Sequence, residues 1–232
     1  VDIPEERQNQ AKETISVLED NFVSAFPWAE NSNPVLDDSF ELLLNNTWRP
    51  MLSITGADGL PPIKDSGNVL RPFTSLKLSL RLPPTLDAQV AQSTLQNILT
   101  NDPPYNADIS LEFEEPATGW NAPPLLSWLE QAVQKSSEKV FKKPALYMGE
   151  GGTIPFMGML GEAFPEAQFV ITGVLGPHSN AHGPNEFLHV PYAEKLTASI
   201  VSIISEIEVI LPSDNNIKIT HSTAVAGTLI LY

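Results

Sequence analysis

The histidine side chains of this sequence are candidate metal ligands. There are four histidines, His178, His182, His189 and His221, and the first two lie in the polar run GPHSNAHGPNE (176–186) directly after an apolar stretch. In an open α/β sheet, loops after strands present ligand-binding groups. A spacing of four would suit two ligands on one helical turn, but the glycines and prolines of this run disfavour a helix. The pattern thus argues against a metal pair here. Any one of these histidines could equally be a hydrogen-bonded loop or core residue.

A glycine-rich run between a predicted strand and a predicted helix could bind an anion. The run is GEGGTIP (149–155), and the backbone N–H groups of Gly151 and Gly152, with the hydroxyl of Thr153, could hold a carboxylate. It lacks the lysine and the length of a phosphate-binding P-loop, and it does not match the dinucleotide fingerprint. Taken alone, the run is also compatible with an ordinary tight turn.

Arg81 could bind a carboxylate through two parallel hydrogen bonds, since it ends the polar face of a predicted strand. A solvated arginine at a strand end is the alternative reading. Glu112, Glu114 and Glu115 have the pattern of a charged strand face rather than of a catalytic pair. No serine nucleophile motif with a supporting histidine and acid is present, so the sequence contains no evident catalytic residue.

The overall charge excludes several classes of partner. Thirteen Lys and Arg against 28 Asp and Glu give a net charge of −15, which argues against nucleic acid and anionic membranes as partners. No cysteine is present, so a metal would be held by His and carboxylate groups. The apolar stretch 198–211 is interrupted by Glu206 and Glu208, so it is too short and too charged to span a membrane. The first residues lack a signal-peptide pattern, and we expect a cytoplasmic, soluble protein.

The first half of the sequence predicts an α+β layer. Apolar residues at helical spacing favour a helix over residues 5–26 and a second, short one over 40–44. Strands are predicted over 51–55, 74–82 and 109–114, and the strict alternation over 74–82 indicates a half-buried strand with a leucine face. Between the last two strands, Asp87 is placed to cap a helix. The pattern predicts a small antiparallel sheet with helices on one face.

The Pro- and Gly-containing stretch 116–124 predicts a domain boundary. Beyond it, the pattern indicates helices over 125–141 and after Pro155, strands over 145–148 and 169–174, and a long final helix. That final helix has one apolar stripe, formed by Leu196, Ile200, Ile203, Ile204 and Ile207. Alternating helices and apolar strands favour an incomplete doubly wound parallel sheet. The sequence therefore predicts one domain over 1–119, a second α/β segment over 120–211, and a tail over 212–232.

Four segments together resemble the M20 family of dinuclear zinc peptidases, which includes carnosinases and Cys-Gly dipeptidases. They are TWRP (47–50), NVL (68–70) with RLP (81–83), EGGTIP (150–155) and NAHGPNE (180–186). They occur in the family's order and cover about residues 40–208. The resemblance implies that 1–119 is the lid and dimerisation domain without its first strand. Residues 120–211 would then be the closing segment of the catalytic domain.

The resemblance also implies roles for individual residues. His182 matches the family's last metal ligand, and Gly151, Gly152 and Thr153 match the turn that holds the substrate's carboxylate. Asn68 and Arg81 match lid residues that reach the substrate, often in the partner subunit's active site. His178 falls where relatives commonly carry an Asp and is given no role. Gly149 and Gly183 depart from the family's frequent Arg and Ser, which leaves the substrate preference open.

The implied activity is hydrolysis of dipeptides or N-acyl amino acids by water activated between two zinc ions. The family's His-x-Asp and Asp-Glu-Glu motifs lie in an amino-terminal half that this sequence does not contain. At most one zinc ligand is supplied here, so we expect this chain to need that half, and to form a homodimer through the lid. The final residues, 227–232, resemble the strand that precedes the absent His-x-Asp motif, or else form an ordinary apolar strand. The alternative function is a non-catalytic dimerisation or ligand-binding module derived from such an enzyme.

Overall fold

A computed structural model describes residues 1–150, 155–176, 178–210 and 229–231. Its helices are α1 (Glu5–Leu18), α2 (Asn21–Ser24), α3 (Ser39–Thr47), α4 (Ala88–Thr100), α5 (Ser127–Phe141), α6 (Pro155–Ala163) and α7 (Val190–Ile210). Its strands are β1 (Met51–Asp58), β2 (Ser75–Arg81), β3 (Ala145–Tyr147) and β4 (Leu229–Leu231). Within these ranges, no helix has the length and apolar content needed to cross a membrane.

The amino-terminal helix is shorter than predicted. The helix expected over 5–26 is divided into α1 and α2 at Glu19, whose φ of 48° is left-handed. Glu19 and Asp20 place negative charge at the carboxyl end of α1, where the helix dipole disfavours it. The second predicted helix is longer than expected. It begins as α3 after Asp38, whose carboxylate accepts a hydrogen bond of 2.9 Å from the Phe40 N–H.

Strands β1 and β2 form a two-stranded antiparallel sheet. Met51 pairs with Arg81 and Leu52 with Leu80, and the register is irregular between Ile54 and Gly56. The alternation over 74–82 therefore predicted the strand correctly. The expected burial of its leucine face is wrong, because Leu76, Leu78 and Leu80 are 40–51% exposed.

The third strand expected in the first half, over 109–114, is not a strand in the structure. The segment nevertheless lies beside β2, since Lys77 Nζ is 2.7 Å from Glu114 Oε1. This pairing raises the pKa of Lys77 and lowers the pKa of Glu114, through the hydrogen bond and then the opposite charge. An exposed side-chain ion pair thus links the segment to β2, and no backbone ladder joins them in the described structure. The predicted cap at Asp87 is confirmed by its bond of 2.9 Å from the Val90 N–H.

The core of the second half lies between α5 and α7. Leu129, Val133, Leu196 and Ile203 are buried there. Ser136 and Ser199 are fully buried at the same interface, with their hydroxyl oxygens 2.7 Å apart. Small hydroxyl side chains allow the two helices to approach closely while each polar group keeps a partner.

The sheet of the second half differs from the parallel arrangement that the sequence favoured. β3 pairs antiparallel with β4, with Ala145 opposite Leu231 and Tyr147 opposite Leu229. The strand predicted over 169–174 is not formed in the described structure. A strand forms only where a neighbouring strand pairs with it, and apolar composition does not specify that neighbour. The α+β class is confirmed, and the carboxy-terminal strand is formed over 229–231.

The amino-terminal helices pack against the second half of the chain. Ala11, Leu43, Leu44 and Trp48 form a buried cluster that Met148 joins. The fully buried Thr14 donates a hydrogen bond of 2.9 Å from Oγ1 to the Tyr147 carbonyl oxygen. These contacts cross the sequence position where we predicted a domain boundary, and they fix α1 and α3 beside the end of β3.

Candidate active site

One large cleft lies between the β1–β2 sheet and the second half of the chain. It has a volume of about 2450 Å³ and is lined by both strands, the end of α3, residues 108–125 and the residues that follow β3. Ordinary ligand pockets have volumes of about 300–1,000 Å³. A small peptide would therefore occupy only part of this cleft.

Arg81 and His182, which lie 101 positions apart in the sequence, both line this cleft. Arg81 is the last residue of β2 and pairs with Met51 at the start of β1. His182 lies in the loop between residues 176 and 187, and its side chain is exposed. The structure thus places a candidate carboxylate-binding group and a candidate metal ligand on one surface.

Hydrogen bonds within its own loop hold the backbone of His182. Its N–H donates to the Glu186 carboxylate at 3.1 Å, and the Gly183 N–H donates to the Asn180 carbonyl at 2.9 Å. The Asn180 side-chain amide donates to the Pro184 carbonyl at 2.6 Å. His182 has a φ of 61°, a left-handed conformation in which histidine and asparagine are enriched. The loop is a series of turns, as its glycines and prolines predicted.

Gly183 is needed for the close packing of this loop. A Cβ at this position would lie 2.6–2.8 Å from the Asn180 side-chain amide group. The serine common at this position in the resembling family would therefore displace Asn180.

Gly149 is packed against the end of α3. A Cβ at this position would lie 3.0 Å from the Thr47 Cβ. Any side chain here, including the arginine common in the resembling family, would need Thr47 to move. Gly151, Gly152 and Thr153 follow directly, but these predicted carboxylate-binding residues lie outside the described residues, so their role stays a prediction.

Asn68 lies apart from the other candidate residues. It is exposed in the segment between β1 and β2, and it is not among the residues that line the cleft. His178 is exposed in the His182 loop and has a φ of 65°. Arg81 and His182 thus both line the cleft, whereas Asn68 does not.

Two further residues of the cleft lining have well-defined surroundings, Tyr147 and Arg49. The Tyr147 hydroxyl is buried and has no hydrogen-bond partner in the described part of the chain. Burial, with a smaller contribution from the negative charge of Glu130, raises the pKa of Tyr147 to about 12. Arg49 is bound to Glu41, with Nη2 2.7 Å from Oε2, and to Asn45 Oδ1 at 2.7 Å. Arg49 belongs to the TWRP segment, whereas nothing in the sequence marked Tyr147.

The cleft contains one candidate metal ligand, the imidazole of His182, among the residues that the structure describes. Within residues 1–150, 155–176, 178–210 and 229–231, no three His, Asp or Glu side chains are grouped so that they could hold a metal ion. His182 has an exposed imidazole on the cleft surface. Neutral imidazole is a preferred ligand of zinc, and zinc sites need three or four ligands. His182 is therefore suited to complete a site whose other ligands come from elsewhere.

Comparison with known proteins shows a relative among the dipeptidases. The chain is 31% identical over 157 residues to a cysteinylglycine-S-conjugate dipeptidase from Corynebacterium striatum. The aligned region covers 63% of this chain and 33% of that protein. No protein-family model matches the chain.

Three solved structures share the fold. Human carnosine dipeptidase 1 aligns with a TM-score of 0.67 at 18% identity, and the alignment covers 90% of this chain and 44% of that one. An M20-family metallo-carboxypeptidase from Sulfolobus solfataricus gives 0.64 at 19% identity, covering 90% and 46%. The dipeptidase Dug1p from Saccharomyces cerevisiae gives 0.63 at 19% identity, covering 89% and 43%.

The fold of the chain is α+β, and three solved peptidase structures share it. The resemblance found in the sequence is confirmed by these matches, and the chain is M20 dipeptidase-like. It spans about a third of the curated relative and less than half of each structural neighbour.

Proposed function

We propose that this chain is part of an M20-type zinc metallopeptidase that hydrolyses dipeptides or N-acyl amino acids. Residues 1–119 would form the lid and dimerisation domain, 120–211 the closing segment of the catalytic domain, and 212–232 a tail that contributes a strand. The observation that carries this proposal is that Arg81 and His182 line one cleft. The dipeptidase relative and the metallo-carboxypeptidase neighbour support a metal-dependent peptidase.

His182 would bind one of the metal ions through its imidazole. When bound, two zinc ions would polarise the scissile carbonyl group and lower the pKa of water from 15.7 to about 7. The remaining ligands and the general base would come from polypeptide that the relatives possess outside the aligned region. The loop hydrogen bonds from His182 to Glu186 and from Gly183 to Asn180 would hold the ligand-bearing backbone in place.

Arg81 would bind the carboxylate at the end of the substrate, because guanidinium and carboxylate groups form paired hydrogen bonds. The N–H groups of Gly151 and Gly152 and the hydroxyl of Thr153 would contact the same carboxylate. Asn68 would act outside this cleft, in the active site of a second subunit. Holding the carboxylate in a fixed position orients the amide bond for attack, which lowers the entropic part of the barrier.

The test is hydrolysis of a dipeptide panel by this chain joined to the amino-terminal half of an M20 dipeptidase, with zinc present. We expect activity from the assembled protein and none from this chain alone. Arg81→Met should raise KM by about 10-fold or more, since charged hydrogen bonds contribute about 1.5–3 kcal/mol, and Arg81→Lys should recover part of the loss. Absence of hydrolysis, with both parts folded, would contradict the proposal.

The second candidate is a non-catalytic dimerisation or ligand-binding module. The exposed leucines of β2 favour it, because an apolar sheet face in contact with water is typical of an interface.

For both candidate functions we propose a homodimer formed through the β1–β2 sheet, and a cytoplasmic location. Leu78→Asp should dissociate the dimer in analytical ultracentrifugation, whereas Ser79→Asp, on the neighbouring residue, should not. Equal dissociation by both variants would contradict this interface.

A further inference from the structure

The segment from Thr118 to Ala122 connects the two sides of the cleft. Thr118 Oγ1 accepts a hydrogen bond of 3.0 Å from the Ala88 N–H at the start of α4. Arg7 in α1 donates from Nε to Asn121 Oδ1 at 3.0 Å and from Nη2 to the Ala122 carbonyl. We call residues 118–122 the junction segment, since these contacts join it to two helices, α4 and α1.

Gly119 fixes the junction segment to the end of the strand that carries Arg81. A Cβ on Gly119 would lie 2.7 Å from the Pro84 Cα. Pro84 is three residues beyond Arg81. The backbones therefore touch at this point, and a displacement of the junction segment would displace the end of β2.

Trp120 fixes the same segment to α6. A Cβ on Gly161 would lie 2.6 Å from the indole Nε1, 3.1 Å from Cε2 and 3.3 Å from Cζ2, so the indole ring occupies a notch that glycine leaves in the helix. The ring also packs edge to face on Phe169, with 5.2 Å between centroids and an interplanar angle of 79°. Aromatic pairs in this geometry contribute about 0.5–1.5 kcal/mol beyond simple burial.

We infer that Trp120 is a positioning residue that sets the distance between Arg81 and α6, the helix that begins directly after residues 151–154 of the sequence. Gly119 and Trp120 are neighbours, one in contact with the Arg81 side of the cleft and the other with α6. A shift of the indole in its notch is therefore transmitted to the end of β2, which carries Arg81, and to α6. The functional meaning of this distance rests on the proposed function, whereas the contact itself does not.

The test compares two glycines of α6 that both face Trp120. Gly161→Ala places a methyl group 2.6 Å from the indole, whereas Gly158→Ala places one 3.9 Å from the Trp120 Cβ, an ordinary contact. Both substitutions improve helix propensity by a similar amount. The chain contains no cysteine, so Ser79→Cys and Glu162→Cys provide a unique pair of spin-label sites on exposed positions of β2 and α6.

We expect Gly161→Ala to shift the label-to-label distance distribution, while Gly158→Ala leaves it as in the parent protein. Trp120→Phe removes the ring atoms that clash, so Trp120→Phe combined with Gly161→Ala should restore the parent distance. In the assembled peptidase, Gly161→Ala should raise KM for a dipeptide more than it lowers kcat, and the double variant should recover KM.

An unchanged distance in Gly161→Ala would overturn this inference. So would a shift that Trp120→Phe does not correct, because it would report a general disturbance of α6. The label-to-label distances are measured without substrate. Absence of peptidase activity would therefore contradict the proposed function only. The distance measurements alone would show whether Trp120 is a positioning residue.

Discussion

Thr14 in α1 and Tyr147 in β3 are joined by a hydrogen bond of 2.9 Å from the threonine hydroxyl to the tyrosine carbonyl oxygen. The donor is fully buried, and its acceptor lies two residues before Gly149, against which Thr47 packs. The amino-terminal helices therefore support β3, the strand that precedes the predicted carboxylate-binding residues 151–153 in the sequence.

Replacing the hydroxyl of Thr14 should weaken this support. Thr14→Val keeps the shape of the side chain but removes the donor, and we expect the free energy of unfolding to fall by about 1–3 kcal/mol. Thr14→Ser keeps the donor and should lose less. Urea unfolding measures both variants, and a valine variant as stable as the parent would show that this bond does not stabilise the fold.

Tyr147 should make stability depend on pH in the alkaline range. Burial raises its pKa to about 12 from the ordinary value of about 10. The folded protein therefore holds this proton more tightly than the unfolded chain, so its contribution to stability is fully present below pH 10 and is lost as the pH rises from about 10 to 12.

Ultraviolet absorbance of phenolate measures this directly. We expect one tyrosine to ionise late, near pH 12, and Tyr147→Phe to remove that phase. Tyr105→Phe, which changes a fully exposed tyrosine, should leave it in place. Loss of the late phase in the Tyr105 variant would contradict the assignment.

Gly183 should be more sensitive to substitution than Gly176 at the start of the same loop. A methyl group on Gly183 displaces the Asn180 amide from its bond with Pro184, whereas one on Gly176 meets nothing within 4 Å. We expect Gly183→Ala to lower stability by about 0.5–1.5 kcal/mol and Gly176→Ala to change it less. Asn180→Gly, which suits the left-handed φ of 54° at that position, should abolish the added cost of Gly183→Ala. Thermal unfolding of the parent, the three single variants and the Asn180→Gly/Gly183→Ala double variant tests this, and an equal effect at both glycines would contradict it.

Local patterns in the sequence predicted several elements correctly because their causes are local. The alternation over 74–82 predicted β2, and Asp87 predicted the start of α4. The 109–114 and 169–174 segments have strand-like composition, but pairing depends on distant neighbours that composition does not identify. The prediction that the β2 leucines are buried was wrong for the same reason, since burial also depends on distant neighbours.

The candidate site could not be predicted in full from local patterns, because it is formed by residues that are distant in the sequence. The resemblance to a known family marked Arg81 and His182, and the structure brings both to one cleft. The bond between Thr14 and Tyr147 spans 133 positions, and the notch for Trp120 depends on a glycine 41 positions away. No local periodicity carries such information, so the sequence did not mark Tyr147 or Trp120.

The zinc affinity of the assembled protein shows whether His182 binds a divalent metal. Titration against a chromophoric chelator should show tight binding by the parent protein and by His178→Ala, which changes an exposed histidine in the same loop. His182→Ala should lose more than about 100-fold in affinity, since even substitutions outside the ligand shell cost about 10–100-fold. If His182→Ala binds zinc as tightly as the parent protein, the ligand assignment is wrong and the proposed peptidase site falls with it.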